Sequence, residues 1–133
     1  MFLNYLLVAI GSALGGTSRY WLSGVIASRI GETFPWGTMI INITGSFAIG
    51  LFGTLTGPEG RLFVPGPWRQ FFMIGVCGGY TTFSSFSLQT LALAQGGEWA
   101  KAGLNIAGSV ILCLIGVWLG HAGALLLNEQ VLR

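Results

Sequence analysis

The chain has 133 residues, of which 53% are hydrophobic and only 8% are charged, and its net charge is +2. Soluble domains carry about 25% charged residues. The composition therefore excludes an ordinary soluble domain and indicates an integral membrane protein. The basic residues are scattered and form no patch, so a nucleic-acid partner is not expected.

Four apolar segments are long enough to cross a bilayer, which takes about 20 residues. They cover approximately residues 2–30, 36–56, 68–94 and 99–127. Trp36, Trp68 and Trp99 open the last three segments, where an aromatic belt places tryptophan. We therefore predict one all-α transmembrane domain over residues 1–133, surrounded by lipid and with no room for a soluble domain.

The basic residues beside these segments barely favour one orientation in the membrane. The side that holds the N-terminus carries Arg61, Arg69 and Arg133, and the opposite side carries Arg29 and Lys101. Because Lys and Arg in short loops set orientation, two alternatives follow. A slight bias fixes a single topology, or the chain inserts both ways up and pairs as an antiparallel homodimer.

Small residues recur at four-residue spacing in several of the segments, a pattern that lets helices approach closely in lipid. The spacing does not say whether these contacts lie within one chain or between two chains. The residues concerned are Gly11, Gly15, Ser46, Gly50, Gly116, Gly120 and Ala124.

The most unusual stretch is residues 78–87 in the third segment, which holds two glycines and five serine or threonine residues. A polar run at membrane depth persists only where it is buried in protein or lines a wet path. We expect Gly78 and Gly79 to break the helix, because glycine adopts backbone angles that other residues resist. The break would free carbonyls able to bind a cation, and Thr81 or Thr82 would cap the next helix.

Two phenylalanines follow the break and share one helical face. Phe83 and Phe86 are three residues apart, which makes them neighbours on a helix surface. The edge of an aromatic ring carries partial positive charge, so ring edges turned toward a path would favour an anion. The alternative is that both rings pack against lipid or the protein core.

Three further polar features lie within the predicted spans. Arg19 either snorkels to the interface or places a positive charge in a wet vestibule. Asn42 either bonds a neighbouring helix or lines a polar path. Asn105 and Ser109 share one face of the fourth helix, which Cys113 extends.

No catalytic set is present, and no acidic residue lies inside a predicted span. Proton-coupled carriers usually place a carboxylate or a histidine within the membrane. This pattern argues against an enzyme. It also disfavours the main alternative function, a small dual-topology exporter of cationic drugs, because that class needs an embedded glutamate.

The stretch 78–87 resembles the signature GG-x-[ST]-TFS-[ST]-FS of the Fluc (CrcB) family of fluoride channels. Gly37 and Thr38 followed by Asn42 resemble that family's GT-x3-N element. The first-helix pair Gly15 and Arg19 and the fourth-helix pair Gly108 and Ser109 extend the resemblance over all four spans. Gln89 and Cys113 depart from the common pattern, and Asn105 occupies a position that varies among relatives.

This resemblance implies a dual-topology, antiparallel homodimer in the bacterial cytoplasmic membrane that passively exports fluoride. It implies a structural sodium ion at the dimer centre, held by the backbone carbonyls of Gly78 and Thr81. It places Arg19 in a vestibule. The residues that we expect along the fluoride pathway are Asn42, Thr82, Phe83, Ser84, Ser85, Phe86 and Ser109.

Overall fold

A computed structural model describes residues 1–130, and every regular element in that range is helical. The prediction of an all-α chain is confirmed, and the predicted segments match the helices to within two residues at each end. Arg133 lies outside the described residues. The elements are α1 (Phe2–Ile30), α2 (Trp36–Leu55), α3 (Gly66–Gln70), a π-helix (Phe71–Cys77), α4 (Gly78–Tyr80), α5 (Phe83–Gln95) and α6 (Trp99–Glu129).

Three helical stretches are both long enough and apolar enough to cross a membrane. They are α2, α6 and the stretch Gly66–Gln95, called the third span below because it joins α3, the π-helix, α4 and α5. The first helix is 29 residues long but does not meet the same hydropathy limit. Thr17, Ser18 and Arg19 interrupt its apolar sequence.

The helices pack as two parallel pairs. Gly11 of α1 lies against Phe71, and Gly15, one turn later, lies against Val76. In the same way Gly116 of α6 lies against Ile43, and Gly120 lies against Phe47. The pairs run in opposite directions, and α2 contacts both α6 and the third span. This arrangement places α2 at the centre of the described chain.

The small residues that the sequence pattern identified lie at the tightest of these contacts. A Cβ atom on Gly11 would lie 2.5 Å from the Phe71 carbonyl oxygen. Ala124 of α6 is completely buried. The close contacts at Gly11, Gly15, Gly50, Gly116 and Gly120 are therefore within one chain, where they supply the packing that drives helix association in lipid.

Glycine also ends two of the helices. Gly31 follows α1 with a φ of 88° and donates its N–H to the Ala27 carbonyl, and Gly97 has a φ of 78° in the turn before α6. Such positive φ angles favour glycine, since it has no Cβ to clash. Each glycine reverses the chain within a few residues, which keeps the connections short.

We predict that Gly11→Ala weakens the pairing of α1 with the third span. The new methyl group would meet a backbone carbonyl that cannot move aside, and overpacking of this kind costs about 1–3 kcal/mol. Gly24→Ala is the matched control on the same helix, because nothing lies within 4 Å of its Cβ position. Thermal unfolding in detergent should show a lower melting temperature for Gly11→Ala alone. Equal melting temperatures for the two variants would contradict the close packing at Gly11.

Candidate functional site

The third span is interrupted at two threonines. Thr81 (φ −83°, ψ 158°) and Thr82 (φ −152°, ψ 114°) are extended, and α5 begins at Phe83. A break near the middle of this span is therefore confirmed. Its expected position at the two glycines is wrong, because Gly78 has helical angles (φ −65°, ψ −37°) and the helix continues to Tyr80.

The glycine before the break has a steric role. A Cβ atom on Gly79 would lie 2.5 Å from the Ser12 carbonyl oxygen and 2.9 Å from the Ser12 Cα. Gly79 thus allows the end of this helix to lie directly against α1. The nearest atom to a Cβ on Gly78, by contrast, is 4.0 Å away, so its surroundings do not require glycine.

Asn42 of α2 holds the broken backbone at Thr82. Its Nδ2 donates to the Thr82 carbonyl at 3.0 Å, and its Oδ1 accepts the Thr82 N–H at 2.8 Å. An unsatisfied backbone group at membrane depth costs several kcal/mol, and this one side chain satisfies both groups of the residue. The interhelical interpretation of Asn42 is therefore correct, and its place on an ion pathway stays a prediction.

Thr82 also begins the next helix. Its Oγ1 accepts the N–H of Ser85 at 3.1 Å, which is an N-cap bond. Thr81 acts differently, since its hydroxyl donates to the Cys77 carbonyl at 2.9 Å. Of the two expected caps, Thr82 is the one that the structure shows.

The break leaves the carbonyls of residues 78–81 without their helical donors. In an uninterrupted helix the N–H of residue i donates to the carbonyl of residue i−4. The N–H of Thr82 would reach Gly78, but it bonds Asn42. The N–H of Ser85 would reach Thr81, but it bonds the Thr82 hydroxyl. The carbonyls of Gly78 and Thr81 are therefore among those released, and they are the two that the family resemblance implies as cation ligands.

Arg19 lies at the same break. Its Nε donates to the Gly79 carbonyl at 3.2 Å, which loses its own helical donor where the helix ends. A cation is favourable at this position, because the C-terminus of a helix carries partial negative charge. The structure thus ties the half-buried Arg19 to the third span, and the expected vestibule role stays a prediction.

An open cavity of about 410 Å³ adjoins the break, and α2, the third span and α6 form its walls. Five of the seven predicted pathway residues line it, together with Gly78 and Thr81, whereas Ser84 and Ser85 do not. Cys113, a departure from the family pattern, is on its wall as well. The five predicted residues are Asn42, Thr82, Phe83, Phe86 and Ser109.

The two phenylalanine rings of this cavity are neighbours, as the sequence spacing predicted. Their centroids are 5.4 Å apart and their planes are inclined by 48°. The Phe83 ring lies on the wall of the open cavity and is 79% exposed in the single chain.

A chain of hydrogen bonds connects α6 to α5 beside the cavity. Ser109 donates to Asn105 Oδ1 at 3.3 Å, Asn105 Nδ2 donates to Thr90 Oγ1 at 2.9 Å, and Thr90 donates to the Phe86 carbonyl at 2.7 Å. Asn105 and Ser109 were predicted to share one helical face, whereas Thr90 was not predicted to take part. The sequence feature that could have indicated Thr90 is a hydroxyl residue one helical turn after Phe86.

Comparisons with known proteins identify the family of this chain. Residues 6–121 match the family model described as CrcB-like protein, Camphor Resistance (CrcB). The chain is 68% identical over 129 residues to a Rhodospirillum rubrum protein named fluoride-specific ion channel FluC, which covers 97% of this chain and all of the relative.

Proteins of the same name occur in other bacteria. One from Paramagnetospirillum magneticum is 67% identical over 127 residues, covering 96% of this chain and 99% of the relative. One from Opitutus terrae is 58% identical over 125 residues, covering 94% of this chain and 95% of the relative. With several membrane-capable helices and a family match over most of its length, the chain is a multi-pass membrane protein that belongs to the CrcB family.

Proposed function

We propose that this protein is a fluoride-selective channel, which lets fluoride leave the cell passively across the bacterial cytoplasmic membrane. The observation that carries the proposal is the identity of 68%, over nearly the whole chain, to a relative named as a fluoride-specific ion channel. The cavity beside the break supplies the residues for the pathway.

The membrane topology that we propose has four spans, with α1 as the first. Its 29 residues extend about 43 Å at 1.5 Å per residue, which is enough to cross a bilayer. It packs along the first half of the third span. The bond from Arg19 to Gly79 gives the half-buried charge of α1 a backbone partner inside the protein.

The cavity wall provides hydrogen-bond donors for fluoride, and no charged side chain of residues 1–130 lines it. An asparagine amide has two N–H donors, and Asn42 uses one of them on Thr82. Its second N–H, the ring edges of Phe83 and Phe86, and the nearby hydroxyls can replace part of the ion's water shell. A site that conducts must also release the ion, which weakly polar donors permit.

The released carbonyls of Gly78 and Thr81 fit a structural sodium ion. Unwound carbonyls and the C-terminal ends of broken membrane helices are the groups that coordinate sodium in transporters. Two chains would contribute four such oxygens. The bound cation would supply positive charge next to the anion pathway, whose electrostatics depend on it.

A second copy of the chain is the partner that we propose for the open cavity. Polar groups and released carbonyls cannot face lipid, and this cavity is open while Phe83 beside it is largely exposed. An antiparallel homodimer would cover both. The near balance of basic residues on the two sides of the spans supports insertion in both orientations.

The alternative of a cationic-drug exporter lacks a supporting observation. That class needs a carboxylate inside the membrane to exchange protons for its substrate. Glu32, Glu59 and Glu98 lie outside the helices, and Glu129 is the final residue of α6. The channel is therefore the better proposal.

We predict that the purified protein, reconstituted in liposomes, conducts fluoride passively and electrogenically. Under a potassium gradient, valinomycin should trigger fluoride release that a fluoride electrode follows, and chloride release should be far slower. Liposomes without protein are the control. Fluoride retained after valinomycin, or chloride leaving at the same rate, would falsify the proposed function.

We predict that Asn42→Asp strongly reduces fluoride flux while the dimer still elutes intact from size exclusion. A carboxylate can accept the N–H of Thr82 but cannot donate to its carbonyl, and it adds a negative charge to the anion pathway. The one bond lost, from the Asn42 Nδ2 to the Thr82 carbonyl, is worth about 0.5–1.5 kcal/mol. Asn4→Asp, near the start of α1, is the control, and wild-type flux in Asn42→Asp would show that Asn42 does not hold a conducting break.

We predict that Thr82→Val weakens sodium binding. Without the Thr82 hydroxyl, the N–H of Ser85 can return to the Thr81 carbonyl and compete with the cation. Sodium should raise the melting temperature of the wild-type protein, since a ligand of the folded state stabilises it. The rise should need more sodium in Thr82→Val and remain normal in Thr82→Ser, which keeps the cap. An identical sodium response in all three proteins would argue against this carbonyl site.

A further inference from the structure

Apolar packing holds α5, the helix that carries both phenylalanine rings, only weakly in the single chain. None of the 13 residues of α5, all of them described, is buried. The helix contacts α6 and, to a smaller extent, α2. Apolar packing within the single chain therefore does little to fix how α5 is rotated, and rotation of α5 would turn both rings.

Hydrogen bonds fix this helix at two points instead. Asn42 of α2 holds Thr82 immediately before the first residue of α5. Asn105 of α6 holds Thr90, two turns further along. Phe83 and Phe86 lie between these points. Within residues 1–130, the bond from Asn105 to Thr90 is the one side-chain hydrogen bond that joins α5 to another helix.

Asn105 is well placed to act as a rigid attachment. Its side chain is only 1% exposed, and it is one of the two largest fully buried side chains of the described chain. Both ends of its amide are used, because Oδ1 accepts from Ser109 and Nδ2 donates to Thr90. Because both ends of this buried amide are bonded, one to its own helix and one to α5, the side chain is held at two points.

The attachment continues to the backbone of the second ring. The Thr90 hydroxyl has a single hydrogen, which it donates to the Phe86 carbonyl at 2.7 Å, so it meets Asn105 with a lone pair. The three bonds therefore run in one direction, from Ser109 on the cavity wall to Phe86. Bonds aligned in this way polarise one another and strengthen the chain.

We propose that Asn105 is a positioning residue which, through Thr90, sets the rotation of α5 and thereby the anion selectivity of the Phe83 and Phe86 pair. The proposal rests on the proposed channel function and deepens it. Small anions of different size differ in how closely they approach the ring edges, so a fixed rotation favours one size. Asn105 does not touch the cavity in the single chain and acts through the helix that it holds.

Thr90→Val is the test, because it keeps the shape of the side chain and removes only the hydroxyl. We expect the ratio of fluoride to chloride flux in liposomes to fall about fivefold or more, the scale of one lost buried hydrogen bond. Thr90→Ser keeps the hydroxyl and should keep the ratio. Ser87→Ala is the matched control, since Ser87 donates to the Phe83 carbonyl one turn back on the same helix but bonds no other helix.

A readout independent of conduction separates this inference from the proposed function. With 4-fluorophenylalanine placed at position 86, the ¹⁹F NMR signal should shift or broaden in Thr90→Val and Asn105→Leu, and stay unchanged in Ser87→Ala. That result supports the positioning role even in a protein that fails to conduct. A wild-type signal and flux ratio in Thr90→Val, or an equal effect of Ser87→Ala, would overturn it.

Discussion

The structure depends on one constraint, which is that a helix broken at membrane depth must find partners for its exposed backbone groups. Lipid offers none, and the break at Thr81 and Thr82 exposes several groups at once. The neighbouring helices supply the partners. Asn42 of α2 bonds both groups of Thr82, and Arg19 of α1 bonds the Gly79 carbonyl. Each of the two helices packed beside the break therefore contributes a polar side chain to it.

The same constraint explains why the candidate cation ligands are available. Asn42 and the Thr82 hydroxyl take up the N–H groups that the helix would have used on Gly78 and Thr81. Arg19 bonds the Gly79 carbonyl, so the carbonyls of Gly78, Tyr80 and Thr81 are the ones left without helical donors. The cap of α5 and the proposed sodium site are consequently linked. The N–H of Ser85 that bonds the Thr82 hydroxyl at the start of α5 is the one that the Thr81 carbonyl loses.

The sequence was sufficient to predict the helical class, the approximate bounds of the long helices, the existence of the break and the adjacency of Phe83 and Phe86. It misplaced the break, because glycine was interpreted as a torsional signal when Gly79 serves a close contact with Ser12. Contacts of this kind depend on which helix lies opposite, and a single sequence does not contain that information. The π-helix at Phe71–Cys77 was missed for the same reason, since its residues are ordinary apolar ones.

Predictions about polar residues succeeded where the partner is close in the sequence and did not succeed where the partner lies on another helix. The cap at Thr82 follows from local chemistry and was foreseen. The partners of Asn42, Arg19 and Asn105 lie 15 to 60 residues away in the chain, so residue type could identify them as polar and buried but could not say what they bond. Residue type also did not predict the surroundings of Gln89, whose Oε1 is buried and has no partner among the described residues.

The bonds that hold the break are also of a kind that acid does not change. The carboxamide, hydroxyl and backbone amide groups that bond around Thr82 do not gain or lose a proton in the physiological pH range. The one ion pair among residues 1–130, Lys101 with Glu98, lies on the exposed side of the α6 start. His121, bonded to Thr54, is exposed near the far end of α6. The geometry around Thr82 should therefore persist when the surroundings of a cell turn acidic, the condition in which a weak acid such as hydrogen fluoride crosses the membrane uncharged and releases its anion in the less acidic interior.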